Sequence, residues 1–176
     1  MKKLSGFLIV VLFAMLTVAA WGYANRPTSE PALPRVIHGF AFQPYQKDQD
    51  AIAGEDPTSA QIDADLKLLA GTTRAVRTYS SIGTLGEIPA LARKHGLKVM
   101  LGSWIDSDRD RNDREVEAAI RLANTHRNVT RILIGNEVVL RGDLPVEDLI
   151  AHLDRVRAAT KQPVSTAEPW HVWIKH

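Results

Sequence analysis

The stretch Ile-Leu-Ile-Gly-Asn-Glu-Val at residues 132–138 decides the fold of this chain of 176 residues. It begins with an uninterrupted apolar run and passes directly into a glycine, an amide and a carboxylate. Such an apolar run is typical of a parallel strand that is buried on both faces. A carboxylate at the carboxyl end of that strand is typical of the rim of an α/β barrel. The stretch therefore predicts a barrel strand with Asn136 and Glu137 at the rim.

Strand-like and helix-like segments alternate on both sides of this stretch. The predicted strands lie at residues 36–42, 75–79, 97–102, 131–135 and 164–167. Between them lie helical patterns, two of which start with the spacing of a capping box, Thr58 with Gln61 and Asn112 with Glu115. This alternation predicts a parallel sheet with right-handed crossovers.

Two α/β architectures compete for this pattern. A doubly wound nucleotide-binding fold would place Gly-x-Gly-x-x-Gly directly after its first strand. Here the first predicted strand runs into Gln-Pro-Tyr at residues 43–45. We therefore predict the N-terminal part, about five βα units, of a (β/α)8 barrel. A complete barrel needs roughly 200 residues or more, so we expect the domain at residues 36–176 to be truncated before the later strands.

The first 24 residues predict a hydrophobic helix ahead of this domain. Lys2 and Lys3 precede an uncharged run at residues 4–24, and roughly 20 residues suffice to cross a bilayer. The segment fits either a signal anchor or a cleaved signal peptide, and Trp21 and Tyr23 favour the anchor, because aromatic residues prefer the membrane interface. We expect an exported protein, anchored in the inner membrane and facing the periplasm or cell exterior, or secreted if the segment is cleaved. Residues 25–35 read as a proline-rich linker.

Composition excludes several classes of function. The chain has no cysteine, which excludes disulfides and thiolate chemistry. Two of its 22 basic residues lie in the first three positions, so residues 25–176 hold 20 basic and 20 acidic residues. This balance predicts no nucleic-acid partner. The spacing of His, Asp and Glu predicts neither a metal site nor a cofactor.

Polar and aromatic residues follow the predicted strands, where the active rim of a barrel lies. The candidate site residues are Tyr79, Trp104, Asn136, Glu137, Glu168 and Trp170. Carboxylates beside aromatic rings suit a sugar, because a pyranose ring has apolar C–H faces and a rim of hydroxyls. Tyr79 is interpreted as a hydroxyl donor or a stacking platform, and Trp104 and Trp170 as stacking platforms. The alternative for all three is an ordinary packing role.

Glu137 is the candidate catalytic residue. A glutamate between a strand end and the sheet core is expected to be partly desolvated, which favours the neutral acid that can protonate a glycosidic oxygen. The alternative is a structural carboxylate paired with Arg77 or Arg141. Asn136 is expected to hold the 2-hydroxyl of the sugar. Glu168 is either the partner carboxylate on the adjacent strand or, as we favour, a substrate-binding residue.

The motifs resemble those of glycoside hydrolase family 17, which comprises β-1,3-glucanases and related glucanosyltransferases. The order is Arg-Thr-Tyr at 77–79, Met-Leu-Gly at 100–102, Ile-Gly-Asn-Glu-Val at 134–138 and Val-Ser-Thr-Ala at 164–167. The variant Thr-Ala-Glu-Pro-Trp at 166–170 resembles a bacterial, membrane-associated branch linked to β-glucan synthesis.

This resemblance implies a (β/α)8 barrel and a retaining two-carboxylate mechanism on β-1,3- or β-1,6-linked glucan. Glu137 matches the general acid/base of the family, and Tyr79 and Asn136 match positions that line the cleft. The family's nucleophile lies on a seventh strand that this sequence lacks, so this portion alone is expected to be inactive. The alternatives are a non-catalytic, membrane-anchored carbohydrate-binding protein with a degenerate barrel, or an unrelated α/β enzyme in which Glu137 is structural.

Overall fold

The computed structural model describes residues 2–32, 34–51 and 53–176. Met1, which belongs to the predicted hydrophobic helix, and Leu33, which belongs to the predicted linker, lie outside the described residues. The chain divides into two compact units, Met1–Pro34 and Arg35–His176.

The first unit is built on one long apolar helix, α1, at Lys2–Ala24. Its segment Gly6–Ala24 has 19 residues with a mean hydropathy of 2.2, and none of these residues is buried within the chain. By length and composition, this segment can cross a membrane, which takes roughly 20 residues.

The second unit is a five-stranded parallel sheet in the order β1-β2-β3-β4-β5. The strands are β1 Phe40–Ala41, β2 Ala75–Arg77, β3 Lys98–Ser103, β4 Val129–Asn136 and β5 Val164–Ala167. The helices are α2 Ser59–Leu69, α3 Ile88–Lys94, α4 Arg109–Thr125, α5 Val138–Arg141, α6 Val146–Ala159 and α7 Trp170–Lys175, with a short 3-10 helix at Gly83–Glu87. The predicted α/β fold is confirmed. The sequential strand order fits a barrel wall, because a doubly wound sheet reverses its order at a switch point.

Local sequence explains where several of these elements begin. Thr58 caps α2, and its side chain and that of Gln61 form the predicted capping box. The predicted start of α4 at Asn112 is wrong. Asp108 is the N-cap of that helix, and its side chain accepts a hydrogen bond from the Arg111 backbone amide, three residues along. Asn112 therefore lies inside the helix, where it is completely buried.

The core lies between the sheet and the helices that cover it. Its largest fully buried side chains come from both layers, and they include Ile62, Leu66, Val76, Ile88, Val99, Leu101, Val116, Ile132, Ile134 and Val138. β3 is buried over most of its length, and β4 is buried at Ile132, Ile134 and Gly135, as expected where helices cover a parallel sheet. Since all strands run in the same direction, their carboxyl ends meet at one edge, and the candidate site lies there.

Candidate functional site

The end of β4 holds its carboxylate in an unusual backbone conformation. Gly135 has φ +82°, and a Cβ at this position would lie 2.5 Å from the Val138 side chain. Glu137 follows with φ +57°, the left-handed region, which no other described non-glycine residue occupies. Its backbone N–H donates to the Ala167 carbonyl oxygen of β5 at 2.7 Å. The strand therefore turns sharply at the rim, and α5 begins at the next residue.

This turn leaves the Glu137 side chain exposed to solvent. The partial desolvation predicted from the sequence is therefore not observed in this chain. Among the described residues, no ion pair includes Glu137, because Arg77 bonds to Asn136 and Arg141 pairs with Asp143 at 2.6 Å. The predicted structural alternative for Glu137, a salt bridge to either arginine, is thus absent from the described part of the chain.

Arg77, the last residue of β2, fixes the orientation of the Asn136 amide. The Arg77 Nη2 donates to Asn136 Oδ1 at 2.7 Å, and the guanidinium lies 4.7 Å over the Tyr79 ring. Arg77 therefore bonds to an amide rather than to a carboxylate as predicted. A guanidinium has only donors, so the oxygen of the amide must face Arg77. The Asn136 NH2 group is left to donate elsewhere.

Trp104, after β3, is held by a second arginine. The Arg141 guanidinium lies 4.6 Å over the Trp104 ring, and the Trp104 indole N–H donates to Asp106 at 3.0 Å. Arg141 also donates to the backbone carbonyls of Asn136 and Ile105. It thereby joins the ends of β3 and β4 and covers one face of the indole. Stacking on Trp104 is therefore confined to its other face.

Glu168 and Trp170 follow β5. The Glu168 carboxylate accepts hydrogen bonds from the backbone amides of Val139 at 3.0 Å and Leu140 at 3.3 Å. It satisfies two amides in the first turn of α5, the helix that begins at Val138. Trp170 is 74% exposed, with its ring edge-on to His171. Trp170 is therefore a surface residue, and the substrate-binding roles of both residues remain predictions.

Replacing Glu168 with alanine should lower the free energy of unfolding by about 1–2 kcal/mol, because two helix-end amides lose their acceptor. Chemical denaturation of the variant and the parent protein measures this change. Glu147→Ala is the matched control, since Glu147 is an exposed glutamate in the first turn of α6. Equal stabilities for E168A and E147A would contradict the capping role.

Beneath the rim lies a buried polar cluster that the sequence did not reveal. Its members are Ser80, Ser81, Ser103 and Glu115. The Glu115 carboxylate accepts from the Ser80 hydroxyl at 2.5 Å and from the Ser81 backbone amide at 2.7 Å. Beside it, Asn112 exchanges two hydrogen bonds with the backbone of Asp106. The capping-box pattern of Asn112 and Glu115 thus serves tertiary contacts instead of a helix start.

Burial raises the pKa of Glu115 from 4.5 to about 7, against the opposing effects of the Ser80 and Ser81 hydrogen bonds and the nearby Arg111 charge. The folded protein therefore holds this proton more tightly than the unfolded chain. Because the unfolded chain releases the proton first, the Glu115 contribution to stability is complete below pH 4.5 and is lost as the pH rises to about 7.

We expect the free energy of unfolding to fall by about 3 kcal/mol across this pH window on account of Glu115. Glu115→Gln should remove this component, since glutamine does not titrate. The measurement is urea denaturation of both proteins at a series of pH values from about 4 to about 8. Parallel stability curves for the two proteins would show that Glu115 does not titrate in this way.

Across residues 2–32, 34–51 and 53–176, no group of three or more His, Asp or Glu side chains is placed to hold a metal ion.

Comparison with known proteins places this chain in a family. The chain belongs to the BtgE/BtgC glycoside hydrolase domain family, whose sequence pattern matches residues 39–176. The glucan 1,3-beta-glucosidase of Schizosaccharomyces pombe is 34% identical over 122 residues, which cover 62% of this chain and 38% of that protein. The probable glucan endo-1,3-beta-glucosidase btgC of Aspergillus flavus is 25% identical over 175 residues, which cover 86% of this chain and 26% of that protein.

The fold is similar to that of a solved enzyme. The glycoside hydrolase family 17 beta-1,3-glucanosyltransferase from Rhizomucor miehei has a TM-score of 0.59 at 24% sequence identity, over 75% of this chain and 49% of that chain. An active-site mutant of a Rhizomucor miehei beta-1,3-glucanosyltransferase in complex with laminaritriose gives 0.60 with the same coverage. The predicted resemblance is confirmed by the match to this family and by the similarity of the fold. The chain spans between about a quarter and a half of the lengths of these proteins.

Proposed function

We propose that this chain carries the general acid/base of a retaining glycosidase or glucanosyltransferase that acts on β-1,3-glucan. The observation that carries the proposal is Glu137, a glutamate held in a left-handed conformation at the rim of the sheet. For a residue other than glycine this conformation costs of order 1–3 kcal/mol, and such strain clusters at functional sites. Without a side-chain partner among the described residues, the carboxyl group is free to meet a substrate.

In this proposal Glu137 protonates the oxygen that leaves the anomeric carbon. It then removes a proton from water, for hydrolysis, or from the hydroxyl of an acceptor sugar, for transfer. Asn136 is suited to hold the 2-hydroxyl, because Arg77 turns the amide so that its NH2 group is available as a donor. Such a contact strengthens as the oxocarbenium-like transition state forms.

A retaining mechanism needs a second carboxylate about 5–5.5 Å away as the nucleophile. Glu168 is poorly suited to that role, because its two oxygens already accept hydrogen bonds from α5. We therefore propose that the nucleophile comes from outside these 176 residues. Glu168 then supports the site by holding the helix that begins next to Glu137.

The proposed substrate rests on the relatives and on the rim aromatics. Two relatives are named for β-1,3-glucan, and the solved neighbour is a complex with laminaritriose. Tyr79 and Trp104 offer ring faces at the same edge as Glu137, which suits the C–H faces of glucose. We also propose that α1 leads the domain out of the cytoplasm and holds it at the inner membrane, facing the periplasm or cell exterior.

The test is to incubate the native protein with reducing-end-labelled laminari-oligosaccharides and to follow the products by mass spectrometry. Shorter products without longer ones indicate hydrolysis, and products longer than the substrate indicate transfer. Binding without any product would favour the non-catalytic carbohydrate-binding alternative. If the protein neither binds nor converts β-1,3-linked or β-1,6-linked glucan, the proposal is overturned.

A further inference from the structure

Glu115 contacts the two loops that follow β2 and β3 and carry Tyr79 and Trp104. Its burial keeps it from touching a substrate. It lies on α4 and is completely buried. Its carboxylate accepts from the Ser80 hydroxyl and the Ser81 amide, directly after Tyr79. The Ser103 hydroxyl, directly before Trp104, donates to the Glu115 backbone carbonyl oxygen at 3.4 Å. One buried residue therefore bonds to the residues beside both candidate stacking platforms.

The two loops are also bonded to each other next to this carboxylate. The Ser81 hydroxyl donates to the Gly102 carbonyl oxygen at 2.9 Å and lies 3.1 Å from the Ser103 hydroxyl. Gly102 itself packs so closely on β2 that a Cβ there would lie 2.7 Å from the Thr78 carbonyl carbon and 2.9 Å from the Tyr79 Cα. These contacts fix the distance between the ends of β2 and β3 on the side that faces Glu115.

Joining two loops through a buried carboxylate carries a free-energy cost. Burial disfavours the charge, and Arg111, on the same helix, is the charged group that offsets it. An apolar residue of the same volume would pack without that cost, but it would leave the Ser80 hydroxyl and the Ser81 backbone amide without an acceptor. The distinctive effect of Glu115 is therefore the arrangement of the loops rather than a gain in stability.

We propose that Glu115 is a positioning residue that sets the separation of Tyr79 and Trp104, and so the width of the glucan-binding cleft between them. The part that names glucan rests on the proposed function, whereas the connection between the loops does not. Glu137 is positioned separately, through Ala167 and α5. Loss of the Glu115 carboxylate should therefore weaken binding of the sugar and leave the proton transfer itself little changed.

The experiment compares the native protein with Glu115→Gln and Glu115→Leu. Glutamine keeps one acceptor and the shape of the side chain, while leucine keeps the volume alone. Asn128→Ala is the matched control, because the Asn128 side chain donates to the carbonyl oxygens of Pro89 in α3 and of Leu97, at the opposite end of β3. The first readout needs no ligand and is amide hydrogen exchange at Ser81 and Trp104. We expect exchange there to rise about tenfold in E115Q and further in E115L, and to stay unchanged in N128A.

The second readout is kinetics with laminari-oligosaccharides. We expect KM to rise about tenfold in E115Q with kcat within about twofold of the parent, which corresponds to about 1.4 kcal/mol of lost binding. Unchanged exchange at Ser81 and Trp104 in both variants would overturn the proposal, as would a fall in kcat at constant KM. If exchange rises while the parent protein neither binds nor converts glucan, the connection between the loops stands and the proposed function fails. The two ideas are thus tested separately.

Discussion

Replacing Glu137 with glutamine should lower turnover of β-1,3-glucan by the native protein by about 10²–10⁴-fold, the range that a positioned general acid/base contributes. Glutamine matches glutamate in size and keeps the same backbone conformation, but it cannot give up or take up the proton. Binding of the oligosaccharide should remain within a few fold, because the amide retains the shape of the carboxyl group. Initial rates and KM on laminari-oligosaccharides measure both effects.

Glu147→Gln is the control for this prediction. It makes the same chemical change at an exposed position in the first turn of α6, and it should leave turnover unchanged. Thermal unfolding of both variants shows whether a loss of rate reflects a loss of folded protein. Wild-type turnover by folded E137Q would remove Glu137 from the mechanism and return it to a structural role.

Replacing Gly102 with alanine should reduce the free energy of unfolding by at least about 3 kcal/mol, at the upper end of the cost of overpacking. The added Cβ would fall inside the contact distance of the Thr78 carbonyl oxygen and lie 2.9 Å from the Tyr79 Cα. Both neighbours are backbone atoms directly after β2, so neither can rotate away. β2 and β3 would have to separate, which also disturbs the Ser81 hydrogen bond to the Gly102 carbonyl. Chemical denaturation measures the change.

Gly96→Ala separates this steric effect from the general effect of losing a glycine. Gly96 has φ +72° with nothing within 4 Å of an added Cβ, so alanine there is strained but meets no neighbour. We expect a cost of about 1 kcal/mol at this position. If G102A were no less stable than G96A, the close approach of β2 and β3 would not be as tight as described.

The order of the strands was predictable because the pattern and the packing agree. The apolar run at residues 132–134 becomes the most buried part of β4, and the polar residues after it reach the rim, as a parallel strand requires. The start of α2 was equally predictable, since the Thr58 capping box involves only residues three apart. Short-range rules of this kind need no knowledge of the rest of the fold.

The site was less predictable, because its contacts cross the sheet. Asn112 and Glu115 have the spacing of a capping box, yet tertiary packing turns both side chains inward. Glu115 bonds to Ser80, 35 residues earlier, and Asn112 bonds to Asp106, six residues earlier. In the same way, nothing local shows that Glu168 binds the amides of α5, about thirty residues earlier. The position of Glu137 was predicted, but its exposure was not, because exposure depends on the left-handed turn that follows Asn136.

The contacts between β5 and the turn at Glu137 also set an order of assembly. The Glu137 amide donates to Ala167, and Glu168 accepts from the first amides of α5. During synthesis, which starts at the N-terminus, β4 is therefore completed before the residues that hold its terminal turn have been added. The conformation of Glu137 depends on a strand made about thirty residues later. The carboxyl group proposed to carry the chemistry is thus held in place only after β5 has been made, so a growing chain that has not reached β5 lacks the contacts that hold it.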